Sequence, residues 1–243
     1  MILKRIFQIL AIFILGVLGG MLWQAICLPY LAQNPTFEKF WFIKEFKNRE
    51  TVIFQREEIH IQENVALSKA VEKVESLVVG IKTQPKKGKL LEGSGLVLTT
   101  DGMIVTLAEL MPDSSTSTLF INDQAIPFEI KKKDTKANLV LLKIERQKLP
   151  TCGFADLEKL QKGQKIFLVG AIFLNNKLQR IVNEGIVRLY DGDSILTNIS
   201  EKKTFAGSPV FDIEGNALGI STIDLEEKVS AIPISQIRKF AGL

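Results

Sequence analysis

Few residues of this chain are equipped for chemistry. His60 is its one histidine, and Cys27 and Cys152 are its two cysteines. A proton acceptor near neutral pH is most simply an imidazole. His60, however, sits in the alternating stretch Glu57-Glu58-Ile59-His60-Ile61-Gln62, ahead of the β-rich part of the chain and distant in sequence from every candidate nucleophile. Two serines are set where a nucleophile could be presented: Ser94 within Gly93-Ser94-Gly95, and Ser208 before Pro209. Glu109 is the candidate base. A serine hydroxyl attacks only when a base within hydrogen-bond reach takes its proton. Without that, Ser208 reads as the small residue before a proline, and Ser94 as a strand-end residue beside two glycines. The cysteines are too far apart in sequence to suggest a disulfide framework, and no Cys/His cluster has metal-ligand spacing. No metal or cofactor is expected.

The elements that must position these residues follow from periodicity. Asn64 is a helix N-cap, and Leu67, Ala70, Val71, Val74 and Leu77 recur at helical spacing, which predicts an amphipathic helix over 64–77. The period then changes to two. Short β-rich runs cover 78–81, 95–99, 103–107, 118–121, 125–131 and 139–144, and later 165–170, 179–182, 185–189, 195–197 and 229–234. Asp101-Gly102, Asn122-Asp123, Asn175-Asn176 and Asp191-Gly192-Asp193 are turn signals between them. A short helix over 235–240 closes the chain. Many short strands without intervening helical pattern indicate a barrel or sandwich.

Three segments carry a resemblance. Thr197-Asn198 followed by Phe205-Ala206-Gly207-Ser208-Pro209-Val210-Phe211 and Gly215-Asn216-Ala217-Leu218-Gly219-Ile220 is similar to the nucleophile loop and following hairpin of HtrA-type, trypsin-like serine proteases. Gly93-Ser94-Gly95-Leu96 with Asp101-Gly102-Met103-Ile104-Val105-Thr106-Leu107-Ala108-Glu109-Leu110 resembles the segment that carries that family's histidine. Asp134-Thr135-Lys136-Ala137-Asn138-Leu139-Val140-Leu141-Leu142 resembles the segment that carries its aspartate. Val229-Ser230-Ala231-Ile232-Pro233-Ile234 matches its closing strand.

The resemblance, which covers roughly residues 65–240, implies an all-β fold: a trypsin/chymotrypsin-like double β-barrel with short flanking helices. Together with the N-terminal transmembrane helix expected from the apolar run considered below, the chain divides into a tail and anchor (1–33), a juxtamembrane stalk (34–63), a first barrel with its leading helix (64–149) and a second barrel with a short C-terminal helix (150–243). The resemblance also implies that all three triad positions are substituted, by Glu109 for the histidine, Asn138 for the aspartate and Ala206 for the serine. A methyl group cannot attack a carbonyl. The glycine that opens the oxyanion loop is replaced by β-branched Thr204, and Phe205 stands where the family has asparagine. The expected catalytic set is therefore empty: a pseudoprotease, with Phe205, Gly207 and Ser208 as candidate cleft residues for binding protein or peptide. The chain stops at Leu243, so an appended PDZ domain is expected to be absent. The competing expectations are a serine endopeptidase using Ser208 or Ser94, and a structural part of a cell-envelope assembly.

Residues Ile6 to Leu28 carry no charge and follow Lys4 and Arg5. As a helix the run is long enough for about 30 Å of hydrocarbon. No small-residue cleavage site follows it, and Gln24-Ala25-Ile26 before Cys27 is a poor lipidation site, so an uncleaved single-pass anchor in the cell membrane is expected, with the C-terminal domain extracytoplasmic. Asn34-Pro35 can start a further helix, whose Phe37, Phe40, Trp41 and Phe46 mix with charges as an interfacial or stalk segment. Net charge is +4, from 31 basic and 27 acidic side chains without long blocks. That balance points away from nucleic acid, and the partners expected are protein or peptide, the membrane, and a second copy of the chain as a possible homo-oligomer.

Overall fold

The computed structural model describes residues 2–23, 30, 65–175 and 177–243. It divides into two compact units, Met1–Asn64 and Val65–Leu243. In the first, Ile2–Leu22 is helical, and Ile12, Phe13, Leu15, Leu18 and Met21 are exposed. Among the described residues no helix is long and apolar enough to cross a membrane. The stretch 24–28 of the expected anchor, the stalk, His60 and the stretch 57–62 lie outside the described residues.

The second unit begins with a helix over 65–74 and a single 3₁₀ turn, Glu75–Leu77, which bury Ala70, Val74 and Leu77, as the 3.6-residue spacing requires. Seven strands then form one antiparallel sheet: β1 (Val78–Pro85), β2 (Leu91–Val97), β3 (Met103–Thr106), β4 (Ser115–Ile121), β5 (Gln124–Ile126), β6 (Glu129–Asp134) and β7 (Leu139–Lys143), in the order β5-β4-β1-β2-β3-β7-β6. This sheet is open. With β5 and β6 as its two unpaired edges it forms a half-barrel, which together with the closed barrel described next is consistent with the expected trypsin-like double β-barrel. Pro127 between β5 and β6 has no N–H to donate, and β5 is only three residues long. Asn122 and Asp123 both take positive φ (48° and 63°), the backbone of a two-residue hairpin turn, which asparagine and aspartate tolerate better than other side-chain-bearing residues.

The remaining strands, β8 (Lys165–Leu174), β9 (Lys177–Tyr190), β10 (Ile195–Ser200), β11 (Pro209–Asp212), β12 (Ala217–Ile223) and β13 (Lys228–Pro233), close into a six-stranded barrel in the order β10-β13-β12-β11-β8-β9. β10 alternates buried and exposed at every residue, as a strand with one face on the core does. Inside the barrel, Phe167 and Phe211 stack with ring centroids 5.5 Å apart, each fully buried. Burying one such side chain contributes on the order of 1.5–3 kcal/mol.

The β8–β9 hairpin runs beyond the barrel and packs on the open sheet, where Phe173 meets Phe120 edge to face with centroids 5.1 Å apart. The C-terminal helix, Ile234–Ala241, buries Ile234, Ile237 and Phe240, and Lys132 of β6 donates to the Phe240 carbonyl at 3.0 Å.

Candidate active site

Asn138 closes the turn that enters β7. Its φ of 53° is left-handed, a conformation asparagine adopts more easily than most residues. Asp134 shapes that turn: its Oδ1 accepts from the N–H groups of Lys136 (2.9 Å) and Ala137 (3.0 Å). Those two donors, Ala137 first, hold the Asp134 carboxyl below its usual range. The turn delivers Asn138 to the 3₁₀ turn Ala108–Leu110 that follows β3. Asn138 Oδ1 accepts from the Glu109 N–H at 2.9 Å, and its carbonyl accepts from the Ala108 N–H at 3.1 Å. The positions assigned to base and orienting acid are therefore joined, through the Glu109 main chain. The Glu109 side chain is exposed.

Ala206 comes from the other half of the fold. It follows the 3₁₀ turn Lys203–Phe205 and is 2% exposed. Its carbonyl accepts from the Ser94 N–H at 2.9 Å, and a Cβ on Gly93 would come within 2.7 Å of that carbonyl and 2.5 Å of Leu110 Cδ1. Leu110 adjoins Glu109, so Gly93 links the Ala206 loop to the Glu109 turn. The alignment thus brings its three positions to one seam between the open sheet and the barrel.

The loop is closed on itself. The Ala206 N–H, which an oxyanion site would direct at a substrate, donates to the Lys203 carbonyl at 3.0 Å, and the Phe205 N–H donates to Lys202 at 2.9 Å. Lys203 itself is tied down by its Nζ, which donates to the Ile223 carbonyl. The hydrogen bond to Lys203 has no signal in the residue pattern, because it depends on the direction of one peptide plane. Gly207 has φ 77°, and a Cβ there would run into the Ser94 carbonyl oxygen; the glycine permits both the turn and the close approach.

The two candidate serines meet. Ser208 Oγ donates to Ser94 Oγ at 3.1 Å, and Ser94 Oγ accepts from the Ala171 N–H at 2.9 Å. Both serines are 0% exposed. No histidine lies beside them among the described residues. Their hydroxyls hold β2, β8 and the Ala206 loop together.

The candidate cleft residues are likewise interior. Phe205 is 6% exposed and fills the space above Gly170, where a Cβ would lie 2.5 Å from its ring; Gly207 and Ser208 are buried. A cavity of about 250 Å3 opens instead just past the Glu109 turn, lined by Met111, Pro112, Asp113, Phe128, Ile130 and Lys133 among others. Lys133 Nζ spans its rim, donating to the Met111 carbonyl (2.8 Å) and to Asp113 Oδ1 (2.5 Å). Sequence reasoning missed this cavity, whose apolar residues come from turns and an edge strand without a common motif. Among the described residues no group of His, Cys, Asp and Glu could hold a metal ion.

An antiparallel open sheet joined to a closed barrel, with the marked turns meeting at the seam, defines the trypsin-like class. Residues 93–220, just over half of the chain, match the family model described as the trypsin-like peptidase domain. The chain belongs to that family, and its relatives place it with the HtrA-type members. It is 29% identical over 195 residues to serine protease HTRA1A of Danio rerio, covering 72% of this chain and 40% of the relative. It is 28% identical over 136 residues to a probable periplasmic DegP-like serine endoprotease of Halomonas elongata, covering 54% and 29%. Against serine protease HTRA1 of Xenopus laevis the figures are 30% over 163 residues, 61% and 35%. The chain thus spans less than half the length of each of these relatives.

Proposed function

We propose that this chain is a catalytically inactive member of the family that binds protein or peptide from a membrane anchor. The observation that carries the reading is the state of the Ala206 loop. Position 206 offers no hydroxyl, and its N–H is already committed to the Lys203 carbonyl. Attack on a carbonyl needs a nucleophile, and a tetrahedral intermediate needs free donors. Rearranging the loop to supply the donors would still leave a methyl group at its centre. The buried pairing of Ser94 with Ser208 weighs against either serine as a substitute.

Binding draws support from the cavity beside Met111, which leaves room for an anchoring side chain where Phe205 has filled the seam. Anchorage by Ile6 to Leu28 draws support from the uncharged run itself and from the exposed Ile12, Phe13, Leu15 and Leu18 of the N-terminal helix. In this reading the C-terminal domain is extracytoplasmic.

A fluorophosphonate probe applied to the full chain in detergent tests the inactive arm. The expected outcome is no covalent labelling and no peptide hydrolysis above solvent background. Labelling abolished by Ser208→Ala or Ser94→Ala would establish the peptidase instead. For the binding arm, a photo-crosslinker at position 130 is expected to capture a protein that the same group at Leu225 does not. Equal yields at the two positions would count against the cavity.

A further inference from the structure

We propose that the partner of this chain is an acidic, extended peptide. One of its apolar side chains enters the cavity beside Met111, and its carboxylates meet the lysines at the tip of the β1–β2 hairpin. The inference rests on the reading that this cavity receives a partner, and it adds the partner's chemistry and a second contact surface.

Strand register places the two features side by side. β1 pairs with β4 as Thr83↔Ser117, Gln84↔Thr116 and Pro85↔Ser115, and Thr83 Oγ1 donates to Ser117 Oγ at 2.8 Å. Ser115 and Ser117 line the cavity. Directly after Pro85 the chain turns through Lys86-Lys87-Gly88-Lys89-Leu90 and enters β2. Two steps along a strand and one across a sheet are about 7 Å and about 5 Å. An extended peptide anchored in the cavity therefore passes Lys86 and Lys87 within about five residues.

Charge selects the kind of peptide. Lys86, Lys87 and Lys89 are exposed, and none of them has an acidic partner among the described residues. The stretches 83–91 and 114–122, which form this corner of the sheet, contain no aspartate or glutamate outside the cavity rim. The rim's own acid, Asp113, is answered by Lys133 at 2.5 Å, and at the base of the hairpin Lys82 answers Glu92 at 3.4 Å. Three positive charges are left uncompensated on one tip, and such a cluster draws carboxylates across roughly 8–10 Å of salt solution. An anionic bilayer is the other surface that lysines meet. The recess beside them favours a peptide, which can project a single side chain into it as a plane of headgroups cannot.

The test uses the full chain in nanodiscs of neutral lipid, with random dodecapeptides displayed on phage as the probe. Selection is expected to enrich peptides with several Asp or Glu within about five residues of a Leu, Ile, Met or Phe. A synthetic copy of the most enriched peptide is expected to lose about tenfold in affinity when its acids become amides, and again when its apolar residue becomes serine. Lys86→Glu, Lys87→Glu and Lys89→Glu together are expected to weaken the same peptide by at least about tenfold at an unchanged melting temperature. Lys162→Glu, Lys177→Glu and Lys239→Glu, equally exposed and equal in net charge, are expected to leave its affinity nearly unchanged. Enrichment without an acidic preference, or equal losses in the two triple variants, would overturn this inference and leave the cavity reading standing. No enrichment at all would overturn both. Flotation of the nanodisc-held chain with phosphatidylglycerol vesicles, abolished by the hairpin triple variant, would assign the lysines to a lipid surface instead.

Discussion

The two halves of the site differ in how they treat their backbone donors. In the open sheet, the turn after β3 is held by Asn138, whose side chain and carbonyl receive two successive N–H groups from a separate element. In the barrel, the Lys203–Ala206 turn satisfies its donors within itself. The first arrangement needs only an oxygen at position 138, and asparagine supplies one as well as aspartate does. The second competes directly with the presentation of N–H groups to a ligand. A carbonyl acceptor placed three residues back is enough to empty an oxyanion site, whatever the neighbouring side chains are.

That contrast can be broken hardest at Gly207. Gly207→Val combines a positive φ with a collision against the Ser94 backbone, neither of which a rotamer change relieves. It is expected to cost at least about 3 kcal/mol, read as a fall in the urea midpoint of the full chain in detergent. Next comes a rebuilding test. The triple change Glu109→His, Asn138→Asp, Ala206→Ser is expected to give peptide hydrolysis at most weakly above background, because the 206 N–H still serves Lys203. Adding Thr204→Gly, which frees the loop backbone, is expected to raise the rate roughly 10²-fold, the worth of one oxyanion donor. Full activity from the triple change alone would show that the turn opens unaided.

On the other side of the comparison, Asn138→Ala is expected to cost about 1–2 kcal/mol, through the acceptor lost to Glu109 and a left-handed φ that alanine disfavours. Asn138→Asp should be nearly neutral in the same unfolding assay. The smallest effect concerns Asp134. Its folded-state pKa lies below the unfolded value, so its contribution is present above the unfolded pKa of about 4 and is lost as pH falls through the lower folded one. Asp134→Asn is therefore expected to flatten the acid limb of the stability profile below about pH 4, measured by thermal unfolding at a series of pH values.

Much of this was legible in the residues. Asn122-Asp123 announced a hairpin because its two residues tolerate positive φ, and Leu67 through Leu77 announced a helix by spacing. The seam was legible because three short motifs each keep their register. What escaped has a common physical cause: it depends on partners far away in sequence. β9 reads as two strands, 179–182 and 185–189, because Asn183 and Glu184 are polar; in the fold they lie within one continuous strand, where Asn183 Nδ2 donates to Glu201 Oε1 (2.7 Å) just past β10. Phe205 reads as a cleft residue until Gly170, on a different strand, proves to leave the space it fills.

The hydroxyl contact between Ser94 and Ser208 also sets an order of events during synthesis. The residues are 114 positions apart, and the Ser94 N–H finds its acceptor only when Ala206 arrives. Until then the Ser94 N–H and hydroxyl face water, and only the arrival of the barrel both buries them and supplies their protein partners. The inner seam of β2 is thus completed only by residues that are made more than a hundred positions later.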